Sequence, residues 1–76
     1  ELALQPYRQS LTLARQIQNR QLQARALSSL GLAYDQAQDY RQAMQHYRQG
    51  LAIAEQLGDP NLEGMTLNNF GETLRK

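Results

Sequence analysis

Shifted against itself by forty residues, the sequence keeps its own register. Tyr7, Arg8 and Gln9 fall on Tyr47, Arg48 and Gln49, while Leu11 falls on Leu51 and Ala14 on Ala54. The match runs on through Leu22 on Leu62, Leu27 on Leu67 and Gly31 on Gly71, with Asn19 on Asp59 in between. Helices of unrelated origin would not hold one register across a helix, a turn and a second helix. The chain is therefore one helix-turn-helix unit used more than once, and such units bury their apolar faces only by stacking.

The middle of the chain shows how the unit packs. Leu27, Leu30, Gly31 and Tyr34 stand at helical steps of three and four, and Ala43, Tyr47, Gly50 and Leu51 repeat the pattern beyond Asp39 and Tyr40. Large residues (Leu27, Tyr34, Tyr47) alternate with small ones (Gly31, Ala43, Gly50), as close antiparallel helices require, because a small residue leaves room for a bulky one on its neighbour.

Four helices follow from the periodicity and its punctuation. Leu4, Tyr7, Leu11, Ala14 and Ile17 define the first, with Pro6 placing its regular start near Gln5, since proline is harmless only in the first turn. Asn19 is suited to cap a second helix over about Arg20 to Ala37. Its two apolar stripes, through Leu27 and Tyr34 and through Ala26, Ala33 and Ala37, imply more than one neighbour. Asp39, with Gln42 three residues on, caps a third helix whose apolar positions are Tyr40, Ala43, Met44, Tyr47, Leu51, Ala54 and Leu57. Gly58 stops it, Asp59 caps the fourth and Pro60 opens it. That helix carries Leu62, Thr66, Leu67, Phe70 and Leu74, with Gly64 and Gly71 as small sites, and runs to about Arg75. The many glutamines read as solvated helix faces, because apolar periodicity persists throughout.

Composition excludes several function classes. Cysteine is absent, so neither disulfides nor thiolate–metal sites can staple the fold. Eight basic and seven acidic residues leave a net charge of +1, without the basic footprint of a nucleic-acid or anionic-membrane binder. No apolar run approaches the roughly 20 residues of a membrane span, and no signal peptide is visible at the N-terminus. The expectation is a soluble, cytoplasmic chain that binds neither membrane nor nucleic acid and needs no cofactor or metal. Starting at Glu1 without Met, and with no stop signal after Lys76, it reads as a piece of a longer one.

These residues resemble the tetratricopeptide repeat. Leu27, Leu30, Gly31, Tyr34, Ala43 and Tyr47 stand at the signature positions, with Gly50 where the family usually has alanine. Leu67, Phe70, Gly71 and Leu74 open a further repeat, and Ala3, Tyr7 and Ser10 close an earlier one. The usual repeat is about 34 residues and ends in proline. Here Glu55 holds that place and the second helix continues to Leu57, which is similar to the forty-residue repeats of kinesin light chains and spindle-orientation adaptors. The resemblance implies an all-α solenoid of stacked antiparallel helix hairpins. Residues 1–18 would be the second helix of a preceding repeat, 19–58 a complete pair, and 59–76 the first helix of a following repeat.

It also implies a concave groove lined by the first helices. Its residues here would be Arg25, Ser28, Ser29, Leu32 and Asp35 on one helix and Met65, Asn68, Asn69 and Glu72 on the next. In similar forty-residue repeats, asparagines at the places of Asn68 and Asn69 hydrogen-bond an extended peptide, and an amide offers a peptide unit both donor and acceptor. Ser28 and Ser29 are the shorter counterparts in the previous repeat. The implied role is a protein-interaction scaffold for a peptide or partner segment. The alternative is self-assembly, in which the fourth helix of one copy pairs with the first helix of another, head to tail.

Catalysis finds no footing. His46 stands without a carboxylate or second ligand at helical spacing and reads as a surface residue. Ser28 and Ser29 have no base placed by sequence. Asp39, four residues from Asp35, is already spent as a cap. The tyrosines stand at packing positions, where they read as core rather than as platforms for stacked bases.

Overall fold

The computed structural model describes residues 5–16 and 18–76. Expectations placed on Glu1 to Leu4, on Ile17 and on the side chain of Tyr7 lie outside the described residues. The four helices are α1 (Gln5–Gln16), α2 (Arg20–Gln36), α3 (Tyr40–Leu57) and α4 (Pro60–Leu74). Each packs antiparallel on the next in chain order, and α2 also touches α4. The result is an all-α stack of helix hairpins measuring 32 × 28 × 15 Å, with no strand among the described residues.

The three turns share one construction. Asn19, Asp39 and Asp59 each accept a hydrogen bond from the backbone N–H three residues on, at 3.0, 3.3 and 3.2 Å. Such caps stabilise a helix end by about 1 kcal/mol each. The residue before each cap is left-handed, with φ of 56° at Gln18, 64° at Gln38 and 64° at Gly58. Gly58 adopts this conformation freely, whereas a side chain there costs about 1–2 kcal/mol. At each turn the cap residue's N–H also returns to a carbonyl five residues back: Asn19 to Ala14 at 2.9 Å, Asp39 to Tyr34 at 2.9 Å and Asp59 to Ala54 at 3.1 Å. Sequence reading marks Gly58 and misses Gln18 and Gln38, because glutamine carries no signal for positive φ.

The core lies where α2 meets its neighbours. Leu27 and Leu30 are each 2 % exposed, and Ala24, Ala26, Leu11, Ile53, Ala54 and Leu62 close around them. Fully burying one such leucine is worth about 1.5–3 kcal/mol. Tyr47 is wholly buried and lies across Gly31, where an added Cβ would stand 2.5 Å from its ring. Gly50 lets α3 approach the Ala24 carbonyl of α2, which would stand 3.2 Å from a built Cβ.

The fourth helix departs from expectation. Leu67 and Leu74 are 52 % and 62 % exposed, and among the described residues nothing lies within 4 Å of a Cβ built on Gly64 or Gly71. Leu67, Gly71 and Leu74 are the forty-residue counterparts of Leu27, Gly31 and Tyr34, the face that α3 covers on α2. Two further apolar positions expected inside, Tyr40 and Leu57, are exposed at the two ends of α3, where the helix emerges from the stack.

Candidate functional site

Side by side, α2 and α4 form one face of the stack, and two depressions run between them. One is lined by Gln21, Arg25, Asp59, Asn61, Leu62 and Met65, with a volume of about 160 Å³. The other, about 320 Å³, is lined by Leu32, Asp35, Gln36, Asn68, Asn69, Glu72 and Lys76. Arg25 and Met65 thus meet at one end of the groove. Leu32, Asp35, Asn68, Asn69 and Glu72 meet at the other.

The two serines separate from this set. Ser28 is 2 % exposed and faces Thr66 of α4, itself fully buried, with 2.8 Å between the hydroxyls. Expected as a groove residue, Ser28 is instead spent on holding α2 to α4, because that crossing buries the stripe on which it stands. Ser29 is half-buried and lines neither depression. Asp35, expected as a groove residue, lines the second depression with a side chain only 4 % exposed and takes a 2.8 Å ion pair from Lys76.

Polar groups around Asp35 are incompletely matched. Its Oδ1, the Tyr47 hydroxyl and Thr73 Oγ1 are buried and complete no hydrogen bond among the described residues, although the Tyr47 and Thr73 hydroxyls are neighbours. Burial pushes the Tyr47 phenol above its ordinary pKa, with the Thr73 hydroxyl opposing. The hydrogen bond to Asp35 raises the Lys76 ammonium above the usual lysine value. At the groove rim Glu72 pairs with Arg75 at 3.0 Å, both well exposed. Among the described residues no hydrogen bond engages the amides of Asn68 or Asn69, and Asn68 is exposed.

His46 is not the bare surface residue its neighbours in sequence suggest. It is half-buried, its ring lies 5.0 Å from that of Tyr34, and its Nδ1 is 2.7 Å from the carbonyl of Gln42. A carbonyl only accepts, so that nitrogen carries the proton and the ring serves packing. Among the described residues no three metal-ligating side chains gather.

Side-by-side alternate helices α2 and α4, a ring seated on a glycine of its partner helix and capped turns at fixed intervals define a helical-repeat protein. A family model for the tetratricopeptide repeat matches residues 1–56, and the chain belongs to that family. No curated protein and no solved structure matches the chain. Tetratricopeptide repeats generally mediate protein–protein interactions. Among the described residues no helix is long and apolar enough to cross a membrane.

Proposed function

We propose that the chain is a scaffold that holds an extended peptide or partner segment along the groove between α2 and α4. The observation that carries this reading is the convergence of Arg25 and Met65, and of Leu32, Asn68, Asn69 and Glu72, on two depressions of one face. The unengaged amides of Asn68 and Asn69 suit a peptide backbone, which needs a donor and an acceptor at each unit. The cysteine-free sequence fits a reducing, cytoplasmic setting for this work. A peptide array probed with the labelled chain tests it. Asn68→Ala with Asn69→Ala is expected to lower the array signals at least tenfold, about 1.4 kcal/mol, while leaving helicity unchanged. Signals that survive both substitutions would remove the amides from the binding surface.

A second reading, head-to-tail self-assembly, is favoured by the open face of α4. In the frame proposed here, α2 and α3 form the complete unit, α1 is the second helix of one repeat and α4 the first helix of another. Among the described residues no helix covers the Leu67, Gly71 and Leu74 face as α3 covers its counterpart on α2, and Tyr7 of α1 is the forty-residue counterpart of Tyr47. A second copy's α1 would then cover α4. Sedimentation across micromolar concentrations, with circular dichroism on the same samples, should show mass and helicity rising together. Leu67→Gln with Leu74→Gln should abolish the rise. A fully helical monomer at every concentration ends this reading.

A further inference from the structure

The larger depression holds a carboxylate with a replaceable counterion. The Asp35 side chain is 4 % exposed, so burial forces it to keep a cation nearby. The one it has is Lys76, whose side chain is 46 % exposed at the mouth of the same depression. An ion pair with one partner so solvated is weak, and a long lysine regains rotamer freedom when it leaves. The second carboxylate oxygen, Oδ1, is buried with no partner among the described residues. Thus Asp35 is a fixed anionic anchor at the floor of the groove, and its cation comes from a residue that can swing away.

Charge and shape then select the guest. Asp35 and Glu72 both line the depression, and Glu72 is already paired with Arg75 at its rim, so Asp35 is the carboxylate left without a cation when Lys76 departs. Leu32, 41 % exposed, offers apolar surface for an aliphatic stem. At about 320 Å³ the space is about ten times a water molecule's share of liquid volume. Two carboxylates are too few to cage a hard metal ion, which takes six or more oxygen ligands.

We propose that this depression is a subsite for a lysine or arginine side chain of the bound segment, and that Lys76 occupies it from within the chain until that side chain displaces it. The proposal rests on the groove reading and adds the chemistry of the ligand to it. Lys76 acts as a built-in competitor, and the apparent affinity for a basic ligand is reduced by the fraction of chains in which Lys76 is seated.

The probe is capped lysine (Nα-acetyl-lysine N-methylamide) titrated to millimolar concentration into the ¹⁵N-labelled chain, with the capped norleucine and glutamate analogues as controls. Saturable shifts at the amides of Asp35, Gln36 and Lys76 are expected from the lysine probe alone. Lys76→Met should raise its apparent affinity about fivefold, and Asp35→Asn should abolish the response. Equal shifts from norleucine, or an affinity unchanged in Lys76→Met, would overturn the proposal. Circular dichroism checks that Asp35→Asn folds, and if it does not, Lys76→Met alone decides. Neutral extended peptides that bind through Asn68 and Asn69, with no preference for the lysine probe, keep the groove reading and end this one. A lysine probe that binds a chain no extended peptide binds does the reverse.

Discussion

Tyr47→Ala is expected to leave the chain largely unfolded at room temperature. The ring is wholly buried between α2 and α4, 6.3 Å from the ring of Phe70 and pressed onto Gly31. Truncating a buried aromatic costs about 3–5 kcal/mol. A core of this size supplies only about 3–5 kcal/mol in total, so helicity should fall sharply. The fit between ring and glycine has its own test. Gly31→Ala places a Cβ 2.5 Å from Cε1 and 2.6 Å from Cδ1 of Tyr47, an overpacking that costs about 1–3 kcal/mol. In a Tyr47→Leu background the ring is gone, and Gly31→Ala should become neutral or stabilising. Urea melts of the two single variants and the double variant measure the coupling. The same cost for Gly31→Ala in both backgrounds would show that the two positions do not share a contact.

Ser28→Ala should destabilise more than its size suggests. The Thr66 hydroxyl, 0 % exposed, would lose the partner 2.8 Å away and be left buried alone. That penalty is about 1–3 kcal/mol. Removing both hydroxyls, Ser28→Ala with Thr66→Val, takes away the unmet need as well, so the double variant should lie close to the parent. Thermal unfolding followed at one salt concentration is sufficient. Additive losses in the double variant would mean that the pair is not the tie between α2 and α4 described above.

What the sequence reveals depends on how local each interaction is. The caps at Asn19, Asp39 and Asp59 engage a backbone group three residues away, and their residue types announce it. The pairing of Tyr47 with Gly31 spans a single turn between consecutive helices, and the alternation of large and small residues displays it. Ser28 and Asp35 are different. Their burial comes from the approach of α4 to α2, two helices apart in the chain, and a helix read by itself cannot say which second neighbour it meets. A signal was nevertheless present. Ala24, Ser28, Gly31 and Asp35 stand at steps of four, three and four, one continuous stripe, and all four are buried. A stripe that mixes small polar and small apolar residues marks a close helix crossing as well as a solvated face does. The exposure of Leu67 and Leu74 was hidden for the opposite reason: their spacing is that of a buried face, and burial requires a covering helix that periodicity cannot supply.

The left-handed residues Gln18, Gln38 and Gly58 fall every twenty positions, each followed by its cap. Helix plus turn is thus a step of constant length, and two steps restore both chain direction and helix type. Length in such a chain is quantised. A duplication or deletion of forty residues leaves every cap, every left-handed turn and every ring-on-glycine contact in phase. One of twenty residues would keep the turns but bring Leu11 or Leu51 to the place where Gly31 receives the Tyr47 ring. Unequal recombination can therefore lengthen or shorten the array with its caps and turns still in phase, provided that it cuts in whole units of forty.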